Sequence, residues 1–224
     1  MATSCLLFVL AALVSVSLAN PAAPRTVAME PSETIEVKPV NFTLYYESLC
    51  PDCQDFISSQ LGPTWTKVKD TKLMTVTLLP FGNAREKQSG SQWKFECQHG
   101  PNECWGNILE TCLIHYYPDT TQQLNIIECI EEDFVLTMAE DWEDSLRKCS
   151  SHSDGVDVEK IVTCTKGPEG NKLEHIVASR TATHDYVPWP LIDGKLNKDA
   201  LDNLLKEVCM AYKGTPPSVC HETM

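Results

Sequence analysis

The chain has 224 residues, of which 42% are hydrophobic and 22% are charged, values typical of a folded globular protein rather than a disordered one. Its 31 acidic and 18 basic side chains give a formal net charge of −13. This charge has the wrong sign for electrostatic binding to a nucleic acid or to an anionic membrane surface. The length suits one domain that carries an insertion better than two domains.

Eleven cysteines are many for a chain of this size, and they indicate a compartment in which thiols are oxidised to disulfides. The N-terminal segment points to the same compartment. Residues 6–18 form an uncharged apolar run, and the small residues Ser17 and Ala19 stand where a signal peptidase requires them. The run is too short for a stable transmembrane helix, and no other stretch has the length for one. The sequence therefore predicts a signal peptide over 1–19 and no stable membrane insertion.

The residues that follow the signal peptide are typical of an exported precursor. Cleavage would remove Cys5 and leave an even number of cysteines. Residues 20–39 contain four prolines and little apolar periodicity, so we expect a flexible lead-in or a pro-segment. Asn41-Phe42-Thr43 is a glycosylation sequon, which makes Asn41 a candidate glycosylation site. A sequence pI of about 4.8 would leave the protein almost neutral in an acidic organelle. We expect a lysosomal or secreted protein.

From residue 40 the pattern is that of an α/β domain. Apolar side chains alternate over 40–46, which predicts a strand, and this strand leads directly into Cys50-Pro51-Asp52-Cys53. A short helix over 56–61, ended by Gly62-Pro63, and a second strand over 74–79 complete a βαβ unit. Such a unit favours parallel pairing of the two strands.

Between about residues 84 and 180 the apolar period becomes helical. The apolar residues of the expected helices are Cys104, Ile108, Cys112 and Tyr116; then Ile126 or Ile127, Ile130, Phe134 and Met138; then Val158, Ile161 and Val162; and finally Leu173, Ile176 and Val177. Strand chemistry returns over 187–192, and a last helix follows Asn197, a candidate N-cap. The predicted domain therefore covers 40–212, with a helical insertion at about 84–180 and a tail over 213–224.

Cys50 and Cys53 are the candidate catalytic residues. A cysteine between a strand and a helix lies at the helix N-terminus, where unpaired N–H groups and the helix dipole favour the thiolate. Cys53, one turn further on, is close enough to attack a mixed disulfide formed by Cys50. We therefore expect Cys50 to be the nucleophile and Cys53 the resolving residue. Asp52 disfavours a second negative charge, which makes the dithiol a better reductant.

Two other interpretations of the pair remain open at this point. The cysteines could form a structural disulfide, or they could be half of a zinc site. A zinc ribbon needs a second Cys-x-x-Cys pair, and the chain has none. His99, Cys97 and Cys104 are weaker candidates for zinc ligands, because an exported chain usually oxidises such cysteines. We expect no metal and no bound cofactor, since the dithiol itself carries the electrons.

A second block of residues has a more specific pattern. Residues 97–112 match C-Q-H-G-x-x-E-C-x-x-N-x-x-x-x-C at every fixed position. This block resembles the signature of the gamma-interferon-inducible lysosomal thiol reductase family, and the resemblance extends over roughly residues 40–220. The order of the signal segment, the Cys-x-x-Cys pair, Tyr186-Val187-Pro188-Trp189 and the final helix is also similar to that of the family.

The resemblance implies a thioredoxin-like fold with a disulfide-rich helical insertion. It implies a reductase of endocytosed, disulfide-bonded proteins in acidic compartments, which in vertebrates aids antigen processing. A small thiol is the candidate electron donor, a point that the residues leave open. Family members are glycosylated precursors, routed by the mannose 6-phosphate receptor and trimmed at both ends. The catalytic pair corresponds to Cys50 and Cys53. Pro188 corresponds to the cis-proline that faces the cysteine pair and binds substrate, although an ordinary turn proline is the alternative.

The other cysteines of the mature chain are candidates for structural disulfides. Cys104 and Cys112 lie too far apart along one helix to bond each other. We expect Cys209 to pair with Cys220, which would tie the tail to the last helix, and His99 to be a structural hydrogen-bonding residue rather than a proton shuttle. The candidates are Cys97, Cys104, Cys112, Cys129, Cys149, Cys164, Cys209 and Cys220.

Two rival functions remain. An oxidase or isomerase of the secretory pathway would use the same cysteines in the opposite direction, and redox potential alone separates it from a reductase. The chain ends in His221-Glu222-Thr223-Met224 and not in a retrieval signal, which counts against residence in the endoplasmic reticulum. A non-enzymatic saposin-like binding module would need an all-helical chain, which the strand before Cys50 argues against.

Overall fold

The computed structural model describes residues 37–137, 141–151 and 153–222. The predicted signal peptide, most of the predicted lead-in and Met138 lie outside the described residues. The strands are β1 (Val40–Tyr46), β2 (Met74–Pro80), β3 (Arg85–Ser89), β4 (Gln92–Glu96), β5 (Trp189–Ile192) and β6 (Lys195–Leu196). The α-helices are α1 (Pro51–Phe56), α2 (Gly62–Val68), α3 (Pro101–Tyr116), α4 (Thr120–Thr137), α5 (Trp142–Ser150), α6 (Val158–Lys166), α7 (Pro168–Arg180) and α8 (Ala200–Ala211).

A four-stranded sheet in the order β2-β1-β5-β6 forms the centre of the domain. β1 pairs in parallel with β2, so that Val40 lies opposite Met74, and it pairs antiparallel with β5 on its other side. The predicted βαβ unit is therefore present. This sheet excludes the all-helical architecture of a saposin-like module.

The helix that follows the cysteine pair does not end where the sequence suggested. α1 continues through a π-helical turn over Ile57–Leu61 into α2, which contains Pro63. The N–H of Gly62 donates to the carbonyl of Ile57, five residues back, and this wider turn gives room for the proline ring, which would block a regular α-helix. A side chain at Gly62 would also collide with the carboxylate of Glu128, 2.3 Å from an ideal Cβ.

The insertion begins with a hairpin and not with a helix. β3 and β4 pair antiparallel over Arg85–Ser89 and Gln92–Glu96, and Gly90 in the turn has a φ of 66°. Charged and polar residues outnumber apolar ones in both strands. The inner Trp93 stacks on His175, with the two ring centroids 3.8 Å apart. The expectation of a helical segment from residue 84 is therefore wrong for its first thirteen residues.

Among the described residues, five helices form the remainder of the insertion. α3 packs against α6 and α7, α4 packs against α5, and both α3 and α7 contact β2. The Trp142 ring is buried and stacks on Phe134 at 3.9 Å. Apolar side chains of the sheet, of α3 and of α4 share one core, including Phe42, Leu44, Leu109, Leu113, Ile127 and Ile130.

After the insertion the chain returns to the sheet. The Asn197 side chain accepts a hydrogen bond from the N–H of Ala200, the first residue of α8, but the N-cap is Asp199, so the predicted N-cap lay two residues too early. The tail turns back in a 3₁₀ helix over Ser218–Glu222, where buried Cys220 is bonded to Cys209. Within the described ranges, no helix combines the length and the apolar character that crossing a bilayer requires.

Candidate active site

Cys50 lies at the C-terminal end of β1 and forms the N-cap of α1. Its backbone is extended, with φ −75° and ψ 116°, and its carbonyl accepts hydrogen bonds from the N–H groups of Cys53 and Gln54, at 3.0 Å each. Pro51 occupies the first turn, where a missing N–H costs no hydrogen bond. The local sequence thus directs the Cys50 sulfur toward the free N–H groups of a helix.

The two cysteines are not bonded to each other, and their environments differ. The side chain of Cys50 is 7% exposed, whereas that of Cys53 is fully buried. The Cys53 thiol donates a hydrogen bond to the Cys50 sulfur, and this bond, with the backbone N–H groups of Cys53 and Asp52, lowers the pKa of Cys50 to about 7. Partial burial and the charge of Asp52 oppose this decrease.

The pKa of Cys53 changes in the opposite direction. Burial, followed by the hydrogen bond to Cys50 and the charge on it, raises the pKa of the Cys53 thiol well above its usual value. Because only a thiolate attacks a disulfide, these opposite changes make Cys50 the more nucleophilic of the two thiols near neutral pH. The arrangement can carry out thiol–disulfide exchange.

Two buried carboxyl groups lie near the cysteines. Glu110 of α3 and Glu131 of α4 are 0% and 1% exposed, and the Tyr46 hydroxyl donates a 2.5 Å hydrogen bond to Glu110. Burial raises the pKa of Glu110 to about 7, while the hydrogen bonds from Tyr46 and Glu131 moderate the increase. Burial and the charge of Glu110 raise the pKa of Glu131 well above its usual value. The pair therefore holds at least one proton near neutral pH.

A second carboxyl cluster connects the signature block to the cysteines. The Glu103 carboxylate accepts hydrogen bonds from the backbone N–H of His99, at 3.0 Å, and from the His99 ring. Buried Glu47, three residues before Cys50, lies 3.7 Å from the same ring and accepts the N–H of Asn83. Burial and the charge of Glu103 raise the pKa of Glu47 to about 7. Hydrogen bonds to buried Glu103 thus hold both the backbone and the ring of His99.

Among the described residues, this second cluster is also the place where a metal ion would find ligands. One ligand atom from each of Glu47, His99 and Glu103 lies within 4.8 Å of the others. All three side chains are already engaged in the hydrogen bonds just described. Cys97 and Cys104 cannot complete a zinc site with His99, because they are bonded to each other.

Pro188 lies on another side of α1. The Val187–Pro188 peptide bond is cis. Pro188 lines a cavity of about 240 Å³ together with Asp52, Asp55 and Phe56 of α1 and with Tyr186. The structure thus brings Pro188 to the helix that carries the cysteine pair.

The comparisons with known proteins agree with this geometry. The family model described as gamma interferon inducible lysosomal thiol reductase matches residues 41–153, which include both the cysteine pair and the signature block. A protein of Carassius auratus with that family's name is 36% identical over 201 residues, 86% of this chain and 76% of the relative. A protein of Mus musculus with the same name is 39% identical over 188 residues, 81% of this chain and 72% of the relative.

The chain belongs to the gamma-interferon-inducible lysosomal thiol reductase family. It is accordingly a thiol–disulfide oxidoreductase, as the sequence predicted.

Solved structures show the fold of this family member. The thiol-disulfide oxidoreductase MdbA of Actinomyces oris superposes with a TM-score of 0.54 at 13% identity, over 81% of this chain and 83% of that one. The reduced disulfide bond oxidoreductase DsbG of Mycobacterium tuberculosis superposes with a TM-score of 0.52 at 16% identity, over 82% and 83%. The predicted thioredoxin-like fold with a disulfide-rich insertion is confirmed.

The remaining candidate residues lie away from the cysteine pair. Asn41 is exposed near the start of β1, at the end of that strand opposite Cys50. All eight candidate structural cysteines are bonded, in the pairs Cys97–Cys104, Cys112–Cys164, Cys129–Cys149 and Cys209–Cys220. These bonds tie the insertion helices to one another and the tail to α8.

Sequence reasoning missed the buried acids of the site. Glu110 and Glu131 are on helices whose neighbouring positions are apolar, and this was the signal that could have found them. A glutamate on the inward face of a predicted helix requires a partner or a proton, since a buried charge without either is costly.

Proposed function

We propose that this family member is a lysosomal reductase that acts at acidic pH on disulfides of endocytosed proteins, with Cys50 as nucleophile and Cys53 as resolving residue. The opposite pKa changes of the two cysteines support this assignment of roles, because a lowered pKa at Cys50 and a raised one at Cys53 order the two attacks. Both sulfurs are unbonded and therefore ready to donate electrons.

The proposed reaction has two exchange steps. The Cys50 thiolate attacks one sulfur of the substrate disulfide, forms a mixed disulfide and releases the other substrate sulfur as a thiolate, which takes up a proton. Cys53 then loses its proton and attacks the Cys50 sulfur, which releases the second substrate thiol. The substrate gains two electrons and two protons, and the enzyme is left with a Cys50–Cys53 disulfide. Two molecules of a small thiol would reduce this disulfide and become oxidised to one disulfide.

The pKa of Cys50 explains how such an enzyme could work in acid. At pH about 5, a thiol with a pKa of about 7 is roughly 1% ionised, whereas one at the ordinary value of 9.0 is roughly 0.01% ionised. The site therefore supplies a hundredfold more thiolate, at a cost in nucleophilicity that is smaller than this gain.

Other residues have supporting roles in the proposal. We assign Pro188 to substrate binding because it lines a cavity along the helix of the cysteine pair.

A glycan on exposed Asn41 would not cover Cys50, since it would lie at the far end of β1. Such a glycan would let a mannose 6-phosphate receptor deliver the protein to the lysosome, and part of the protein would be secreted. If the source is a vertebrate, the reaction would serve antigen processing.

A trapping experiment tests the proposal. The Cys53→Ser variant should accumulate a mixed disulfide with a denatured, disulfide-bonded protein at pH about 5, because Cys50 attacks and nothing resolves the bond. The Cys50→Ser variant, which has the same number of thiols, is the matched control and should trap nothing. If the Cys53→Ser variant also captures no substrate at either acidic or neutral pH, the pair is not a nucleophilic centre and the proposed function is wrong.

A further inference from the structure

A second cavity lies beside α1, next to Cys50. Its volume is about 300 Å³, and it lies between Pro51 and Asp55 of α1 and Glu131, Glu132 and Val135 of α4. Pro51 directly follows Cys50 in the chain. A polypeptide joined to the Cys50 sulfur therefore has this cavity within reach of its neighbouring side chains.

All the ionisable groups that line this cavity are carboxyl groups. Asp55 and Glu132 are exposed at its rim, and no Lys, Arg or His is among the described lining residues. Glu131 is 1% exposed and hydrogen-bonded to Glu110, so Asp55 and Glu132 are the carboxylates that a ligand can reach. A cationic side chain would complement this acidic rim, and an acidic one would be repelled by it.

Apolar surface at the same cavity suits a long aliphatic stem. Val135 is 55% exposed, which is unusual for a large hydrophobic side chain in this protein, and Pro51 is exposed opposite it. Lysine and arginine side chains commonly lay their methylene groups on apolar surface and keep their charged heads beside carboxylates. The volume is sufficient for one such side chain.

We propose that this cavity binds a lysine or arginine side chain of the polypeptide whose disulfide Cys50 attacks. The inference rests on the proposed function, and it defines the preferred substrates as disulfides with a basic residue close to the attacked cysteine. The aliphatic stem of that residue lies on Pro51 and Val135, and its cationic head meets Glu132 and Asp55. Disulfides flanked by acidic residues are disfavoured at the same place.

The test uses three peptides that each contain one disulfide and differ at one position next to the cysteine, with Lys, Gln or Glu. The wild-type protein should reduce the Lys peptide with a kcat/KM about tenfold above that of the Glu peptide, because the attraction of Lys and the repulsion of Glu by the exposed carboxylates add to each other. In the Asp55→Asn, Glu132→Gln double variant this ratio should fall to about two. Using a ratio removes any effect of the substitutions on Cys50 itself.

The matched control is Asp70→Asn, which also removes an exposed carboxylate but lies after α2, at the end of the sheet opposite Cys50. It should keep the wild-type ratio. Equal kcat/KM for all three peptides would overturn the cavity assignment and leave the proposed function intact. A ratio that falls equally in the control would assign the preference to the net charge of −13 and would also overturn it. Failure of the wild-type protein to reduce any peptide would instead contradict the proposed function.

Discussion

The hydroxyl of Tyr46 in β1 donates its hydrogen bond to the carboxyl group of Glu110, which is 64 residues away in α3. Both side chains are fully buried, and Glu131 approaches the same carboxyl group from α4. The central strand and two helices of the insertion therefore meet at a titratable group. This contact makes the stability of the domain depend on pH.

The first prediction concerns this dependence. Burial raises the pKa of Glu110 to about 7 in the folded protein, whereas an unfolded glutamate titrates near 4.5. The folded state binds the extra proton, so its stabilising effect is complete below pH about 4.5 and is lost as the pH rises through about 7. The Glu110→Gln side chain is neutral at every pH. Between pH 5 and pH 8, the free energy of unfolding of the wild type should therefore fall by about 1 to 3 kcal/mol more than that of this variant.

Urea denaturation at the two pH values measures this difference. The variant should still lose some stability as the pH rises, because Glu47, whose pKa is also about 7, likewise destabilises the folded state when it loses its proton. The exposed Asp70→Asn variant should follow the wild-type curve at both values. A Glu110→Gln protein that loses as much stability as wild type between the two values would show that Glu110 does not hold the proton.

The second prediction concerns the reactivity of the cysteines. Alkylation of the reduced protein by iodoacetamide should label Cys50 first. The rate should rise with pH along a titration curve whose midpoint is at about 7. Cys53 should stay unlabelled on the same timescale, because it is buried and its pKa is raised. Mass spectrometry of the labelled peptides decides between the two sites. Faster labelling at Cys53 would reverse the roles assigned to the pair.

The third prediction concerns Asp52. Its carboxylate raises the pKa of Cys50, so Asp52→Asn should shift the alkylation midpoint below that of the wild type. A more stable thiolate stabilises the reduced form, and the variant should therefore be a weaker reductant at equilibrium with glutathione. Asp55→Asn, one turn later on the same helix, is the control and should change the midpoint less. An unchanged midpoint in Asp52→Asn would mean that the side chain does not act on Cys50.

The fourth prediction compares two structural disulfides. Cys112–Cys164 closes a loop with a sequence separation of 52, and Cys209–Cys220 one with a separation of 11. From the chain entropy that each loop removes from the unfolded state, loss of the first should cost about 4 kcal/mol and loss of the second about 3 kcal/mol. Double Cys→Ala variants, unfolded in urea, test this order. A larger loss for the short loop would show that packing around Cys220 outweighs the entropy difference.

The elements that the sequence predicted correctly are those defined by neighbouring residues. Alternating side chains predicted β1, a run rich in Val, Thr and Leu predicted β2, and the change from strand to helix placed Cys50 at the start of α1. The hairpin over 85–96 was missed because β3 has no apolar residue and β4 has only Trp93 and Phe95, each between polar or charged residues. The helix continues past Pro63 because of one π-helical turn, and the helix preferences of the neighbouring residues do not predict such a turn.

The buried acids were missed for a different reason. A glutamate on a helix is normally taken as part of a solvated face, and whether it is buried depends on which helix packs over it. Glu110 is buried because α3 contacts β2 and approaches α4, a packing determined by residues far apart in the sequence. The pairing of Cys112 with Cys164 depends on the packing of α3 against α6 in the same way.

The burial of the structural disulfides has a consequence for a protein that works among thiols. The four sulfurs of Cys112–Cys164 and Cys209–Cys220 are at most 3% exposed, so a thiolate, whether a small donor or Cys50 of another copy, cannot reach them without local unfolding. These two disulfides are therefore protected from the exchange reaction that the enzyme catalyses. Cys97–Cys104, whose two cysteines are only partly buried, is the bond that a rising thiol concentration would open first. Its opening would release the turn that holds His99 against Glu103.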